Sequence, residues 1–250
     1  LYTEAQQLIK EHAAPVLNEV RDKAFEDFRR QGFPTKKVER YKYTDMQKLF
    51  EPDYGLNLNR LEIPVNPYET FKCDVPNLST SLYFVVNDQF YSKALPKAKL
   101  NDGVIVDSLN HVATERPELV AKYYGRLANT EADAITALNT MLAQDGLFIY
   151  VPKNVQLERT IQVINILRSD VDLMVNRRVL IVLEEGAKAQ FLFCDHAADD
   201  RNFLATQVIE AYVGANANLE LNCLEETHAK NVRVSNVYIE QQRDSRASHN

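Results

Sequence analysis

The chain has 250 residues, and its 35 acidic and 29 basic side chains give it a formal charge of −6 at neutral pH. Hydrophobic residues make up 45% of the chain and charged residues 26%, which is typical of a globular protein and argues against general disorder. The acidic balance also disfavours a broad nucleic-acid-binding surface, because phosphate binding depends on an excess of Lys and Arg.

The apolar runs and the cysteines predict a soluble cytoplasmic protein with no membrane contact. Runs such as Val179–Leu183 end after five residues, whereas a membrane-spanning helix needs about 20. No basic-then-apolar leader opens the sequence, so we expect no secretion. The three cysteines, Cys73, Cys194 and Cys223, are widely spaced, which argues against a disulfide framework.

The first 50 residues predict helices. Apolar residues recur at the three-and-four spacing of an amphipathic helix over residues 8–28. Pro15 interrupts this pattern and predicts two helices or one kinked helix, with Pro15 in a first turn. Gly32 predicts the helix end, because glycine readily adopts the left-handed cap conformation. Thr44 begins a capping-box pattern that predicts a short helix through Phe50.

A loop and a small group of strands are predicted next. Four prolines in residues 51–80 predict an extended loop. Ser81–Val86 and Gln89–Tyr91 predict a hairpin, because they flank the turn-forming pair Asn87-Asp88. Val104–Val106 is a third short apolar run.

Two further helices complete the first part of the chain. Thr114 is a predicted cap for a helix that ends at Gly125, and Thr130 is a predicted cap for Glu131–Leu142. We therefore predict an N-terminal helical and small α+β region over residues 1–143.

From Leu147 onward the sequence predicts strands and no helix. Short runs rich in β-branched and aromatic residues follow one another, and by themselves they fit a sandwich, a barrel or a solenoid. The runs are Leu147–Val151, Ile161–Ile166, Val179–Leu183, Ala189–Phe193, Ala205–Ile209, Leu219–Asn222 and Val232–Ile239.

A repeat favours the solenoid over the other two folds. Two β-rich stretches align around Gly186 and Gly214, which gives a period of 214 − 186 = 28. Weaker copies place Asn154 and Gln242 at the equivalent positions of the preceding and the following repeat. Short strands at such a period predict a right-handed parallel β-helix over residues 144–250, truncated at its C-terminal end. The alternative is a chance match between two β-rich stretches.

The repeat also predicts which side chains point inward, because successive residues of a strand point to opposite faces. One parity is apolar in both aligned strands and is predicted to be buried. The other parity, which carries Gln190 and Leu192, is predicted to face solvent or a partner protein. The predicted inward residues are Ala189, Phe191 and Phe193, aligned with Ala217, Leu219 and Leu221.

Local catalytic motifs are missing from the sequence. It contains no Gly-rich phosphate loop, nucleophile elbow, HExxH or paired CxxC. We therefore predict a protein that is not an enzyme and that has no tightly bound cofactor of its own.

The segment Cys194-Asp195-His196 is the strongest local candidate for chemistry. Cys194 and His196 share the outward parity, and a thiolate with an imidazole could ligate a metal or transfer sulfur. Two donors alone do not define a metal site, so the alternative is an unreactive, partly buried thiol beside a loop histidine. Cys223 falls on the inward parity and is predicted to be a small core residue, whereas His249 is predicted to be a surface or capping residue.

Two stretches resemble a known family. The segment Gly32–Asp45, with sequence GFPTKKVERYKYTD, resembles the N-terminal signature G-x-P-x-x-x-x-E-x-W-K-Y-T of the SufD branch of the SufB/SufD family, with Tyr41 in place of the usual Trp. Leu138-Asn139 followed by Asp145–Val155, with sequence DGLFIYVPKNV, resembles the segment with which the β-helix of that family begins.

The resemblance implies a scaffold subunit of the Suf machinery for iron–sulfur cluster assembly and iron acquisition. It implies pairing with a SufB-like subunit through the β-helices and action with a SufC-like ATPase; a homodimer through the same surface is an alternative. It also implies that an iron–sulfur cluster is held transiently by the complex. The family's proposed ligands lie in a later part of its β-helix, so no ligand is carried onto this chain. Cys194 and His196 remain candidates from their chemistry alone.

Two rival functions remain open at this point. A polysaccharide lyase or hydrolase on a β-helix needs acidic residues stacked on successive coils. Glu184 and Glu185 instead align with Tyr212 and Val213, so the repeat predicts no such stack. The second rival is a solenoid that binds proteins and has no metal role.

Overall fold

The computed structural model describes residues 2–61, 65–71, 81–95, 100–101 and 103–250. Its α-helices are α1 (Tyr2–Glu11), α2 (Pro15–Asn18), α3 (Arg21–Gln31), α4 (Met46–Phe50), α5 (Pro67–Thr70), α6 (Leu109–Glu115), α7 (Pro117–Ala121) and α8 (Ala134–Leu142). Its strands are β1 (Ser81–Val86), β2 (Gln89–Phe90), β3 (Ile105–Ser108), β4 (Leu147–Val151), β5 (Ile161–Leu167), β6 (Leu173–Leu183), β7 (Lys188–Ala197), β8 (Phe203–Val213), β9 (Asn218–Glu226), β10 (Asn231–Gln241) and β11 (Arg246–His249).

The strands form a parallel β-solenoid, as predicted. One sheet has the order β11-β9-β7-β5-β1-β2 and the other has the order β10-β8-β6-β4-β3. From β4 onward the chain alternates between the two sheets, and each strand pairs in parallel with the strand two places later. Each coil therefore adds one strand to each sheet, and the two sheets enclose an apolar core.

The predicted alignment of the repeat is wrong by two residues at its centre. Leu183 lies beside Val213, which gives a step between these coils of 213 − 183 = 30 rather than 28. The left-handed turn that follows each strand is at Gly186 in one coil and at Asn216, not Gly214, in the next, with φ of 70° and 58°. Asn154 and Asp244, with φ of 61° and 57°, occupy the same turn in the outer coils. Asn and Asp tolerate this conformation, so glycine alone does not mark the repeat.

Gly214 is required for a different reason, namely close packing between coils. A Cβ atom at this position would lie 2.7 Å from the backbone nitrogen of Glu185. We expect Gly214→Ala to lower the free energy of unfolding by about 1–3 kcal/mol, the usual cost of overpacking. Urea denaturation measures this change. Gly55→Ala is the matched control, since its Cβ would meet its nearest atom at an ordinary 3.4 Å; an equal loss in both variants would contradict the explanation.

The inward parity was predicted correctly despite the shifted alignment. A shift of two residues leaves a side chain on the same face of its strand. All six predicted inward residues are buried in the core of the solenoid, but Phe191 lies beside Leu221 rather than Leu219.

The N-terminal region supplies the first coil as well as the helices. β1 pairs in parallel with β5 and forms the predicted hairpin with β2, and β3 pairs antiparallel with β4. Strands from residues 81–108 thus continue both sheets. The boundary between regions at residues 143 and 144 stays a prediction.

Several helix starts differ from those predicted. Pro15 begins α2 and Gly32 ends α3, as expected. The side chains that cap α4 and α8, however, are Asp45 and Asp133, and α8 begins at Ala134. Thr130 instead donates a hydrogen bond from its hydroxyl to Asp27 at 2.6 Å. Carboxylates compete well with threonine for the exposed N–H groups of a first turn, which explains the difference.

The other predicted start, at Thr114, also shifts. Ser108 caps α6, and Thr114 lies inside that helix. Within the predicted loop of residues 51–80, α5 is a short helix, and residues 62–64 and 72–80 lie outside the described part of the chain. Among the helices of the described residues, none combines the length and the apolar character needed to cross a membrane.

A buried ion pair attaches the helices to the outer face of the solenoid. The carboxylate of Glu210 in β8 lies 2.6 Å from Nη2 of Arg178 in β6, and neither side chain is exposed. The same carboxylate accepts hydrogen bonds from the backbone N–H groups of Gly125, Leu127 and Ala128 at 2.9–3.0 Å. Glu210 therefore holds the loop that follows α7 against the sheet.

Candidate functional site

The predicted site residues, Cys194 and His196, lie at the end of β7, on the same face of the strand. Cys194 and His196 point outward and Asp195 points into the solenoid, as the alternation along a strand requires. The structure thus keeps Cys194 and His196 on one face and gives the residue between them a separate environment.

The outward face at Cys194 is covered, which corrects the prediction of a surface open to solvent or a partner. Cys194 has no exposed area and packs with Phe84, Ile164 and other apolar residues. Tyr68 of α5 and the following Phe71 lie over this cluster. The cover comes from a much earlier part of the chain, within the segment predicted to be a loop, so the local pattern of β7 gave no sign of it.

Cys194 and His196 each make a polar contact with a residue of a neighbouring strand. The side-chain amide of Gln162 donates a hydrogen bond to the sulfur of Cys194 at 3.6 Å. The ring of His196 lies edge-on to the ring of Phe71, with 4.7 Å between centroids, and its Nδ1 is 3.4 Å from a carboxylate oxygen of Glu226. The histidine is thus part of the strand and its cover, not of a loop.

Asp195 belongs to an interior polar layer that runs across the coils. Asn165, Asp195 and Glu225 are neighbours in one sheet, and Arg177, Gln207 and Ser235 are neighbours in the other. These six residues, together with Arg233 of β10, interrupt the apolar interior. Those on the earlier coils are almost fully buried, namely Asn165, Arg177, Asp195 and Gln207.

Asp195 is paired with both arginines of the interior polar layer. One of its oxygens is ion-paired with Arg177, and the other lies 3.0 Å from Nη1 of Arg233. Arg233 also lies 3.1 Å from the carboxylate of Glu225. Arg177 further donates from Nε to the backbone oxygen of Asn87 at 2.8 Å. Two guanidinium groups and two carboxylates therefore balance their charges, with Arg177 and Asp195 buried and Glu225 43% exposed.

Cys223 lies on the inward face, as predicted, but it has a polar neighbour that the sequence did not indicate. Its sulfur is 3.7 Å from Nε2 of His249 in β11, which is exposed, in agreement with its predicted surface position. Burial raises the pKa of the Cys223 thiol, and the positive charge of Arg233 opposes this shift. The sheet separates Cys223 from Cys194, because the two side chains point to opposite faces.

The described residues contain no group of three or more His, Cys, Asp or Glu side chains arranged to hold a metal ion. Cys73, the third cysteine, lies outside the described residues. A metal role for Cys194 and His196 therefore stays a prediction.

The cover over Cys194 predicts slow reaction of its thiol. In a variant with Cys73 and Cys223 replaced by Ser, we expect a thiol reagent to label Cys194 slowly in the folded protein. Phe71→Ala should increase the labelling rate because it removes part of the cover. Tyr43→Ala is the control, since Tyr43 is 90% exposed. Fast labelling of folded Cys194 without the Phe71 substitution would show that the cover does not protect the thiol.

Two family models together match nearly the whole chain. The family model described as the SufBD protein N-terminal region matches residues 1–163, and the model described as SUF system FeS cluster assembly, SufBD core domain, matches residues 165–250. Together the two matches follow the order of the structure, from the helical region into the coils.

Individual relatives carry related names. The chain is 33% identical over 121 residues to the iron–sulfur cluster assembly protein SufD of Bacillus subtilis, an alignment that covers 48% of this chain and 27% of the relative. It is 32% identical over 131 residues to a chloroplastic iron–sulfur cluster assembly SufBD family protein of Arabidopsis thaliana, covering 51% and 23%. A Synechocystis SufBD family protein is 32% identical over 135 residues, covering 53% and 28%.

These alignments span about a quarter of the length of each relative. The two family models, in contrast, together cover nearly all of this sequence. They support the resemblance seen at Gly32–Asp45 and in the segment that opens the β-helix. The chain belongs to the SufBD family of iron–sulfur cluster assembly proteins.

Proposed function

We propose that the chain is the SufD-type scaffold subunit of a Suf complex, which pairs with a SufB-like subunit and acts with a SufC-like ATPase in cluster formation and iron acquisition. The observation that carries this proposal is the ordered match of both SufBD family models. The similarity to SufD of Bacillus subtilis and the signature at Gly32–Asp45 favour the SufD branch.

The solenoid suits such a role because it offers a rigid surface made of strand edges. β10 and β11 are the last strands of their sheets and pair on one side only within the described residues. A parallel strand edge of this kind can continue into further coils or pair with another sheet. In this proposal the chain has no catalytic step of its own, ATP hydrolysis belongs to the SufC-like partner, and the cluster is the cargo of the whole complex.

Co-purification tests the proposed partnership. The full-length protein that contains this sequence is tagged and co-expressed with the SufB-like and SufC-like proteins of its own organism. We expect all three to elute together, in a complex whose ATPase activity is lost when the SufC-like subunit is omitted. If neither partner elutes with the tagged protein, a general protein-binding solenoid becomes the better explanation.

A narrower experiment tests the outward pair at β7. Because Cys194 is fully buried, we expect Cys194→Ala and His196→Ala to leave cluster assembly in cells unchanged, as measured by the activity of an iron–sulfur enzyme. A loss of assembly at normal protein level would instead give the pair a direct role.

We further propose a cytoplasmic location, which fractionation of cells that express the full-length protein would check.

A further inference from the structure

The helices of the N-terminal region and the first residues of β6 line a cavity of about 380 Å³. Its floor consists of apolar side chains that are almost fully buried, and two of them are methionines, Met141 of α8 and Met174 of β6. A cavity of this size lies within the range of small-molecule binding sites. Methionine side chains are flexible and polarizable, so they adapt to ligands of different shapes.

The walls of the cavity are aromatic. The ring of Phe33 lies between two others, with its centroid 5.2 Å from that of Phe28 and 4.8 Å from that of Phe50. Tyr2 and Phe25 form a second ring pair, with 4.8 Å between centroids. All five rings line the cavity. The four phenylalanines are only partly buried, so part of each ring remains available to a ligand.

This arrangement suits a small molecule better than a protein partner. The floor is buried and the rings come from α1, α3, α4 and the segment between α3 and α4, so a ligand inside would have apolar atoms on several sides. A stable protein–protein interface usually buries about 800 Å² on each partner, and a single cavity of this volume does not offer such an area.

The charge around the cavity favours a cation. Asp53 is the only charged side chain among the lining residues that the structure describes, and it is exposed. A second negative charge lies close to the same side, because burial and then the charge of Asp172 raise the pKa of Tyr54, another lining residue. The faces of aromatic rings also attract cations. A carboxylate ligand would meet no basic side chain among these lining residues.

We propose that this cavity binds an arylalkylamine, a small molecule with an apolar aromatic body and a positively charged amino group. The body lies between the phenylalanine rings and the two methionines, and the ammonium group lies at Asp53. Burial of the apolar body supplies most of the affinity, and Asp53 with the ring faces selects a cation over an anion. The cavity is separate from Cys194 and from the interior polar layer, so this function is additional to the proposed scaffold role.

Methyl NMR of the full-length protein tests this proposal, with phenethylamine as the probe. The three methionines of this sequence are Met46, Met141 and Met174, and their methyl groups are isotope-labelled. We expect the signals of Met141 and Met174 to shift in a saturable manner. Met46 is the internal control, since it is buried in a different cluster with Tyr41 and does not line the cavity, so its signal should shift far less.

Two matched ligands and one substitution test the role of charge. Phenethyl alcohol and phenylpropionate share the ring but are neutral and negatively charged, and both should bind more weakly than phenethylamine. Asp53→Asn should weaken the binding of phenethylamine about threefold to fivefold, as expected for a partly solvated charge pair, and leave that of the alcohol unchanged. Glu51→Gln is the matched control, since Glu51 is exposed and does not line the cavity.

Four outcomes would overturn the proposal. Phenethylamine could shift none of the methionine signals, or it could shift all three alike, which would indicate non-specific binding. Phenylpropionate could bind as tightly as phenethylamine, or the affinity for phenethylamine could be the same in Asp53→Asn and in the parent protein. The methionine signals and the comparison of ligands use the unmodified protein, so these results do not depend on the folding of a variant.

Discussion

Replacing Glu210 with Gln should lower the free energy of unfolding by about 4 kcal/mol. The substitution keeps the size of the side chain but removes the charge that balances Arg178, and both residues are fully buried. Breaking a buried ion pair from one side leaves an uncompensated charge, which typically costs about 3–5 kcal/mol. Two of the backbone donors, Leu127 and Ala128, could still bond to the amide oxygen. Urea denaturation followed by circular dichroism measures the effect.

Two comparisons show whether the charge is the cause. Glu185→Gln removes an exposed partner of Lys153, and an exposed ion pair is worth at most about 1 kcal/mol. The double variant Arg178→Met, Glu210→Gln removes both charges, keeps an oxygen for the N–H groups of Leu127 and Ala128, and should recover part of the lost stability. If Glu210→Gln were no more destabilising than Glu185→Gln, the ion pair would not be what attaches the helices to the solenoid.

Asp195→Asn should lower the free energy of unfolding by about 3 kcal/mol, the second largest effect. Asp195 pairs with Arg177, which is almost fully buried, and with the partly exposed Arg233. The variant keeps the shape of the side chain and leaves Arg177 inside the solenoid without its counter-charge. The same urea denaturation applies, and hydrogen exchange should show the largest loss of protection in β6, β7 and β10.

Asp200→Asn is the control for this prediction, because Asp200 pairs with Lys230 at the surface and is 79% exposed. Little change is expected there. Equal stability of the parent protein and Asp195→Asn would mean that water, rather than the carboxylate, stabilises Arg177. A uniform loss of protection over all strands would argue against a role confined to the interior polar layer.

The sequence predicted the solenoid and its buried face because both depend on simple periodicity. Apolar residues at every second position fix which side chains point inward, and this holds for the predicted and for the observed step between coils. The size of the step was harder to predict. Asn216 takes the left-handed turn conformation that the alignment assigned to Gly214, and Gly214 is needed for the close approach of Glu185 instead.

The interior polar layer was missed for the same reason. The predicted step aligns Asp195 with Cys223, whereas in the structure Asp195 lies beside Glu225. Only the observed alignment places two carboxylates, those of Asp195 and Glu225, on successive coils. A signal was present nonetheless, since Arg177, Asp195 and Gln207 are polar residues on a parity that is otherwise apolar.

The cover over Cys194 could not be predicted from periodicity at all. It depends on tertiary contacts of Tyr68 and Phe71 with Phe84 and His196, which join segments far apart in the sequence. The alternation along β7 gave the direction of the Cys194 side chain correctly, but direction does not determine exposure. The helix caps differ for a related reason, since several nearby side chains compete for the same N–H groups.

The interior polar layer also affects how reliably the coils stack during folding. A coil that slipped by two residues would keep every apolar side chain facing inward, so the hydrophobic core alone would tolerate the error. Such a slip would, however, place Asp195 beside Cys223 instead of Glu225 and move Arg233 away from the carboxylate of Asp195. The ion pair between Asp195 and Arg233 therefore favours the correct stacking of the coils. A solenoid that slipped by two residues would keep its apolar core but lose this ion pair.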